Sequence, residues 1–488
     1  MSKDQKSNSS TGPVKSMLDD LDTSNKNLQH IGVEYLNVHT EGTVHAKRMP
    51  GTFRTLKWWA ASVWLFFFVG PYIQWDNRQA IWFDLEGRQF HIFGITVLPQ
   101  DVWVLAMILL FYALLLAATT AIAGRMWCGY GCFQTVWMDV FTWIEEKVEG
   151  LPNKRVKLDK EPISFKKFRI KLPKWIAWGL IGFLTGFTFV AYFDPAIDLW
   201  ARLFTFDWTS TESTIILSLA AATVFFAGFL REQTCIGFCP YARIQGAMID
   251  TESVVPTYDY DRGEPRGRLK RAVEGDATSE LGDCIDCNLC VAVCPTGVDI
   301  RKGQQFGCIT CGLCIDACDS IMEKIKKPKG LIRYASLAEF AGKPFVPFYK
   351  RPRVITYTSI MAFALAAIIY GISTMSPIDV KVLHERAPLF VAMSDGSIQN
   401  KYVVKIVNKS DKQLDAEIKV RGPEGLVFIV DEVIHVEPGN VGTATLLVRI
   451  PKKILTKQNT TVKIDVQDIH NPAVKETYSS MFIGPRIR

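Results

Sequence analysis

The sequence has no cysteine left over for a framework of disulfide bonds. All 12 cysteines fall within four short motifs, whereas disulfide-stabilised proteins of oxidising compartments carry additional paired cysteines. We therefore expect the thiols to face a reducing compartment. The first 40 residues also lack an apolar core, so we expect no cleavable signal peptide.

Histidine is absent from the long apolar runs. The seven histidines are His30, His39, His45, His91, His384, His435 and His470. A membrane haem with two axial histidines is therefore excluded. The runs themselves carry almost no charge, and each is close to the roughly 20 residues that a membrane-spanning helix needs. They predict five transmembrane helices: a first ending at about Trp75, then Val102–Gly124, Trp175–Phe193, Ser213–Leu230 and Val354–Thr374.

Basic residues are distributed unevenly between these helices. Residues 145–174 contain ten Lys and Arg and residues 319–353 contain nine, whereas 75–101 contain two and 194–212 only one. Lys and Arg accumulate in cytoplasmic connections. We therefore place the N-terminus and both basic connections in the cytoplasm and the C-terminus outside it. The net charge of +7 then reflects topology, and we expect no nucleic-acid partner.

Eight cysteines form two runs with the spacing C-x2-C-x2-C-x3-C. Bacterial two-cluster ferredoxins have this spacing, and the fourth cysteine of each run ligates the cluster of the other run. Zinc also uses C-x2-C pairs, but it would not need eight cysteines in two identical runs. We assign one [4Fe–4S] cluster to Cys284, Cys287, Cys290 and Cys318, and the second to Cys308, Cys311, Cys314 and Cys294.

The other four cysteines form two C-x3-C pairs, each placed after an arginine at the end of a predicted helix. They are Cys128 with Cys132, after Arg125, and Cys235 with Cys239, after Arg231. We interpret them as an internal repeat whose glycines favour a loop or turn over a regular helix and whose four thiols could converge at the membrane interface. The arginines would favour thiolates, and thiolates favour Cu(I), zinc or iron–sulfur clusters. Disulfides, or small buried apolar side chains, are the alternatives.

The C-terminal region changes character. Short segments rich in Val and Ile alternate with turn residues, which predicts an immunoglobulin-like β-sandwich. No cysteine and no cluster of histidines or carboxylates is apparent in this region, so we expect a docking or structural role. The predicted strands are Tyr402–Val407, Ala416–Val420, Leu426–Val430, Val433–Val436, Thr443–Ile450, Thr461–Val466 and Tyr478–Phe482.

The predicted fold class is a multi-domain membrane protein. It combines a five-helix α transmembrane region, an inserted bacterial two-[4Fe–4S] ferredoxin-like domain and a C-terminal immunoglobulin-like β-sandwich. The predicted boundaries are a disordered N-terminal tail (1–43), transmembrane helices one to four with both C-x3-C pairs (44–250), the cytoplasmic ferredoxin domain (251–330), a basic linker (331–353), transmembrane helix five (354–375) and the periplasmic sandwich (376–488).

Three further segments resemble signatures of the cytochrome c oxidase accessory proteins of the CcoG/FixG/RdxA family. They are Thr257-Tyr-Asp-Tyr-Asp-Arg262-Gly-Glu-Pro-Arg266-Gly267, Cys239-Pro-Tyr-Ala-Arg243-Ile-Gln245 and Lys327-Pro-Lys-Gly330-Leu-Ile-Arg333-Tyr334. The order of helices, cysteine runs and terminal β-domain also follows the family, so the likeness covers about residues 45–488.

The resemblance implies a multi-pass protein of the bacterial inner membrane that reduces Cu(II) to Cu(I) and supports assembly of cbb3-type cytochrome c oxidase. Its cofactors would be two [4Fe–4S] clusters, with copper as substrate or transient ligand of the catalytic thiols Cys128, Cys132, Cys235 and Cys239. Its partners would be oxidase assembly factors, a copper chaperone or copper-transporting ATPase, and an electron donor that the sequence does not identify. The sequence leaves open whether the protein forms a homodimer. Two other functions compete: a general electron conduit from quinol to a membrane partner, and an assembly scaffold with structural clusters.

A topology reporter tests the predicted sidedness. Because ten basic residues hold the 145–174 connection in the cytoplasm, a reporter active only in the periplasm should work when fused after Arg488 and fail when inserted near Lys160. A reporter active only in the cytoplasm is the control and should give the opposite pattern. Reversal at either site contradicts the five-helix topology.

Overall fold

The computed structural model describes residues 44–75, 78–97, 101–205, 207–267, 281–340, 342–344, 346–374, 376–410, 412–430, 433–455 and 457–485. The predicted N-terminal tail, 1–43, lies outside these residues. The chain divides into two compact units: the first comprises residues up to Ile73 with Ala106–Ala366, and the second comprises Gln74–Leu105 with Ala367–Arg488.

The α-helices of the described residues are numbered in chain order. They are α1 Thr52–Ala61, α2 Leu65–Val69, α3 Val102–Ala123, α4 Met126–Tyr130, α5 Phe133–Glu149, α6 Pro152–Lys160, α7 Phe165–Val190, α8 Ala196–Thr205, α9 Ser210–Thr223, α10 Pro240–Met248, α11 Tyr260–Gly263, α12 Leu289–Ala292, α13 Leu313–Lys324, α14 Leu337–Phe340 and α15 Pro352–Ser373. Two π-helical segments, Val224–Leu230 and Thr234–Phe238, follow α9.

The strands of the described residues are numbered in the same way. They are β1 Gln74–Trp75, β2 Arg78–Gln79, β3 Ile81–Asp84, β4 Gln89–Ile92, β5 Ile95–Val97, β6 Val255–Tyr258, β7 Ile332–Ala335, β8 Ile378–His384, β9 Val391–Ala392, β10 Ser397–Asn408, β11 Leu414–Arg421, β12 Val427–Ile429, β13 Ile434–Val436, β14 Val441–Pro451, β15 Asn459–Asp468 and β16 Lys475–Ile483.

Three helices are long and apolar enough to cross a membrane, so the protein is a membrane protein. They are α3, α9 with its π-helical continuation to Leu230, and α15. The first predicted span is instead broken into α1, a 3-10 turn, α2 and a second 3-10 turn. The third lies in α7, a 26-residue helix whose first half is basic and contains Pro173. Of the five predicted spans, three are therefore supported among the described residues.

Buried charge anchors the helix that precedes the first apolar run. Lys57, on α1, is 2% exposed, and its Nζ lies 2.6 Å from Oδ2 of Asp139 on α5. Arg54 approaches the same oxygen at 3.4 Å. Burial would raise the pKa of the Asp139 carboxyl, but Lys57 and Arg54 outweigh it and lower that pKa. The helix therefore directs its basic residues into the protein interior.

Helix α7 packs against α9 through two glycines four residues apart. A Cβ on Gly186 would lie 2.5 Å from the carbonyl oxygen of Ile216, and one on Gly182 would lie 2.8 Å from that of Ala220. Small residues at this spacing let helix backbones approach closely, as they do in many membrane helix pairs.

The second unit contains the predicted sandwich. One sheet has the order β12-β14-β10-β8, with β9 also paired to β10, and the other has the order β13-β11-β15-β16. Alternate residues of β14 (Ala444, Leu446, Val448 and Ile450) are buried, as expected for a strand with one face on a core. All seven predicted strands are present. The prediction missed β8 and β9, and it also missed β1–β5, which lie in a stretch that was interpreted as a connection.

Two of the ten basic residues in the 145–174 connection, Arg155 and Lys174, are buried. Glu145 of α5, 2% exposed, binds Arg155 at 3.0 Å, Lys174 at 3.2 Å and Arg231 at 2.8 Å. Burial would raise the pKa of Glu145, but the three cations hold it at about 2. This ion cluster ties α5 to α6, α7 and the turn that precedes Cys235.

Replacing Glu145 with Gln tests the ion cluster. The change removes the carboxylate that Arg155 and Arg231 bind and leaves Lys174 with Glu149 alone, so we expect the free energy of unfolding at pH 7 to fall by about 3 kcal/mol. Because the folded pKa lies below the ordinary value of 4.5, this stabilisation is fully present above about pH 4.5 and is lost as the pH falls towards 2.

Thermal unfolding of the detergent-solubilised protein across this pH range provides the measurement. Glu323→Gln is the matched control, because Glu323 pairs with Lys329 at the surface and should change stability by at most about 1 kcal/mol. Equal stability of the Glu145→Gln variant and the parent protein would show that the cluster contributes nothing.

Candidate iron–sulfur and thiol sites

The two cysteine runs share an unusual backbone conformation. Asp286 and Asn288 in the first run have positive φ angles of 52° and 55°, and Thr310 and Gly312 occupy the equivalent positions in the second run with 56° and 73°. In each run the second of these residues precedes a helix, α12 or α13. A Cβ on Gly312 would lie 2.8 Å from the Phe53 ring. The repeat seen in the sequence is therefore also a repeat of structure.

Each predicted ligand set surrounds one cavity. A cavity of about 360 Å³ is lined by Cys284, Cys287, Cys290 and Cys318. A second cavity of about 360 Å³ is lined by Cys294, Cys308, Cys311 and Cys314. The fourth cysteine of each run thus lies with the first three of the other, which is the crossed arrangement predicted from the spacing.

The chemistry of both cavities fits a cluster bound by thiolates. Burial raises the pKa of Cys290, Cys308 and Cys318 to about 12. Bound iron would supply the main counter-charge for such buried thiols, in addition to Arg301, which lines the first cavity and lowers the pKa of Cys290. Backbone N–H groups also point at sulfur, as Val298 N does towards Cys294 Sγ at 3.3 Å. Within the described residues no three His, Cys, Asp or Glu side chains converge on a single metal ion, so the ligand assignment stays a prediction.

The two C-x3-C pairs also have matching local structure. The first cysteine of each lies in a short helical segment: Cys128 in α4 and Cys235 in the second π-helical segment. The second cysteine is extended and directly precedes a helix: Cys132 before α5 and Cys239 before α10. In agreement with the expected loop or turn in place of a regular helix, Gly129 and Gly237 lie in single helical turns and Gly131 lies in the turn after α4.

The first pair packs directly on the loop of the second cysteine run. A Cβ on Gly129 would lie 2.6 Å from the carbonyl oxygen of Ile309 and 3.1 Å from Cys311 Cα. The Tyr130 hydroxyl donates to the carbonyl of Cys311 at 3.0 Å. Arg125 donates its backbone N–H to Thr310 Oγ1 at 3.1 Å. The candidate thiol site and one cluster cavity therefore share a wall.

The four thiols of the pairs influence one another electrostatically without forming a closed site. Burial raises the pKa of Cys128 to about 11 and that of Cys235 to about 12, and the neighbouring thiols add to both shifts. Arg125 lowers both values but does not overcome burial. The predicted thiolate character was therefore wrong for these two cysteines. Arg231 instead binds Glu145, and its Nε donates to Gly228 O at 2.7 Å.

The structure also reveals a polar cluster on the sandwich that the sequence analysis missed. The carboxylate of Asp415 bonds His435 Nδ1 at 2.6 Å and His470 Nε2 at 2.8 Å. Asp415 pairs with His435 across β11 and β13, whereas His470 follows β15. The three residues are separated by 20 to 55 positions, so only the strand register could have predicted the cluster.

Two family descriptions match the chain. A 4Fe-4S dicluster domain matches residues 230–337, and the IG-like fold at the C-terminal of FixG matches residues 368–485. Both the predicted ferredoxin-like region and the predicted sandwich are thereby confirmed. The dicluster match ends beyond the predicted linker boundary at residue 331, in agreement with the pairing of β7 with β6.

Curated relatives are similar along most of the chain. Protein RdxB of Cereibacter sphaeroides is 42% identical over 80% of this chain and 84% of its own length. Nitrogen fixation protein FixG of Rhizobium meliloti is 37% identical over 84% and 86%, and protein RdxA of C. sphaeroides is 39% identical over 83% and 88%. A crystal structure of a FixG-related protein from Vibrio parahaemolyticus is 24% identical, with a TM-score of 0.21, and covers 22% of this chain and 97% of that chain.

Replacing Cys294 tests the crossed ligand sets. Anaerobically purified protein should contain about eight iron and eight sulfide, since two cubanes hold four of each. Cys294→Ala should reduce the cluster built on Cys308–Cys314 and spare the other, because Cys294 lines only the cavity of the second run.

Iron and sulfide analysis, with electron paramagnetic resonance (EPR) of the reduced protein, distinguishes the two clusters. Cys318→Ala is the reciprocal control and should affect the other cluster. Loss of the cluster built on Cys284–Cys290 in the Cys294→Ala variant would contradict the crossing, and zinc in place of iron would contradict both clusters.

Proposed function

Since this chain belongs to the FixG/RdxA/RdxB family of membrane iron–sulfur proteins, we propose that it is a cupric reductase. Its substrate is Cu(II), its product is Cu(I), and its thiols Cys128, Cys132, Cys235 and Cys239 receive the copper. The reduced ion then serves the assembly of a cbb3-type cytochrome c oxidase through a copper chaperone or a copper-transporting ATPase.

One observation carries this proposal: the shared wall between the first C-x3-C pair and the second cluster cavity. Cys128 and Cys311 belong to one buried apolar cluster, which also contains Ile309. When bound, [4Fe–4S] clusters supply single electrons at potentials that the protein tunes, and each Cu(II) requires one electron to become Cu(I). Thiolates are the ligands that retain the soft monovalent product.

The buried thiols also favour a transient copper site. Because burial raises the pKa of Cys128 and Cys235, these groups are neutral at pH 7, and copper must displace their protons to bind. Arg125 partly offsets the cost, since it lowers the pKa of both thiols. Protons therefore compete with copper for these sulfur atoms, so a partner with stronger soft ligands can remove the copper.

The proposed topology follows from the distribution of charge. The five proposed spans are the three supported helices, the apolar half of α7 and the segment up to Trp75. This topology places the ferredoxin-like domain (251–330) in the cytoplasm and the sandwich (376–488) in the periplasm of a bacterial inner membrane. Close packing of α7 on α9 supports α7 as a membrane helix. The sandwich then serves as the surface on which oxidase assembly factors dock.

A second candidate is a general electron conduit to a membrane partner. It is favoured by the contacts of Gly129, Tyr130 and Arg125 with the cluster loop, which involve no metal. In this function the thiol pairs would order the contact between the cluster cavity and the membrane helices, and copper would be incidental.

Removing the thiols separates the two candidates. Cys128→Ala, Cys132→Ala, Cys235→Ala and Cys239→Ala should each abolish stoichiometric copper binding and Cu(II) reduction by protein reduced with dithionite. Single changes should cost nearly as much as the quadruple change, because ligands of one site are not additive. Iron and sulfide should stay unchanged, since the predicted cluster ligands lie elsewhere.

The exposed histidines of the sandwich provide the matched control. His435 and His470 are competing copper ligands, so the double variant His435→Asn/His470→Asn should retain Cu(II) reduction. A quadruple cysteine variant with intact clusters that reduces Cu(II) at the parent rate would exclude the thiol site and favour the conduit.

A further inference from the structure

A buried carboxamide connects the two C-x3-C pairs. Gln245 lies on α10, the helix that begins directly after Cys239 of the second pair, and it is 1% exposed. Its Oε1 accepts a hydrogen bond from the thiol of Cys128, in the first pair, at 2.8 Å. Its Nε2 donates to Thr120 Oγ1, in the last turn of α3, at 3.0 Å.

The orientation of the carboxamide is determined by Thr120. The Thr120 hydroxyl has one hydrogen, and it donates this hydrogen to the carbonyl of Leu116 at 2.7 Å. Thr120 Oγ1 is therefore left as an acceptor and requires the NH2 group of Gln245. The oxygen of Gln245 must then face Cys128, so the chain of hydrogen bonds from Leu116 to the thiol has a single direction.

Helix α10 has little freedom to move Gln245 away from this position. A Cβ on Gly246, the next residue, would lie 2.6 Å from the Phe306 ring, so the helix is packed closely against the loop that precedes Cys308. Thr120 is fully buried and lies in a membrane-spanning helix. Gln245 is therefore a rigid bridge between α3, the first pair and the helix that follows the second pair.

We infer that Gln245 is a positioning residue for the thiol site: it holds the protonated Cys128 sulfur against the helix that follows the second pair, so that the two C-x3-C pairs stay linked while no copper is bound. This inference rests on the proposed function for its consequence, but the link between Gln245 and Cys128 can be tested without copper.

Gln245→Met tests the link, since methionine has a similar length but cannot accept the thiol hydrogen bond with comparable strength. A hydrogen bond of this kind changes an equilibrium roughly two- to tenfold. We expect alkylation of Cys128 in the full-length, cluster-containing protein to accelerate by roughly this factor, with alkylation of Cys132 unchanged. Because copper displaces the proton that Cys128 donates to Gln245, this hydrogen bond opposes copper binding, and Cu(I) affinity, measured by competition with a Cu(I) chelator, should rise by roughly the same factor.

Two Thr120 variants test the same chain independently of any folding defect in Gln245→Met. Thr120→Val removes the acceptor for the Gln245 amide and should reproduce the faster alkylation of Cys128. Thr120→Ser keeps the hydroxyl and should behave as the parent. Mass spectrometry measures the alkylation of each cysteine, and the iron content shows whether the clusters are intact. A general loosening of the structure would not confine the faster alkylation to Cys128.

Parent-like alkylation of Cys128 and parent-like Cu(I) affinity in Gln245→Met, with intact clusters, would overturn the inference and leave Gln245 as a satisfied buried amide. A uniform rise in the reactivity of all four thiols would also overturn it. If the parent protein binds no copper but Cys128 still responds to both variants, the proposed function fails while the link between Gln245 and Cys128 holds.

Discussion

The backbone at Gly129 approaches the loop of the second cysteine run more closely than any side chain would allow. A Cβ there would lie 2.6 Å from a carbonyl oxygen of that loop, which is closer than Cβ atoms approach oxygen in proteins. Glycine therefore permits the contact that joins a candidate thiol site to a cluster cavity. On either side, the backbone of Arg125 and the hydroxyl of Tyr130 form hydrogen bonds to the same loop. These bonds fix the position of the loop relative to the first thiol pair.

Buried charge is the second constraint on the first unit, and it changes how the basic residues are understood. Positively charged connections predict sidedness because charges resist transfer across a bilayer. Arg155 and Lys174 nevertheless lie in the interior, where each binds Glu145. A buried ion cluster is costly to break and fixes geometry. Here it holds Arg231, whose backbone has a φ of 44°, at the turn that leads from a membrane helix into the second thiol pair.

Local patterns in the sequence predicted the parts of the fold that depend on them. The spacing of the cysteine runs predicted which four thiols surround each cavity, and segments rich in Val and Ile between turn residues predicted seven sandwich strands. The segment with Ile378, Val380 and Val382 has the same composition, so β8 could have been found. The burial of Arg54 and Lys57 could not, because it depends on the distant partner Asp139. The cluster around Asp415 also depends on partners far along the chain.

The two thiol pairs are similar in sequence but are not equivalent in structure. In the first pair, Gly129 is packed against the cluster loop, whereas Gly237 in the second pair has no atom within 4 Å of the position of a Cβ. The second pair also follows π-helical turns, which are wider than α-helical turns and frequent at functional sites. Phe238, between Gly237 and Cys239, is exposed. Each pair nevertheless has one buried and one half-buried cysteine, so the pairs differ in what surrounds their glycines and not in how deeply their thiols lie.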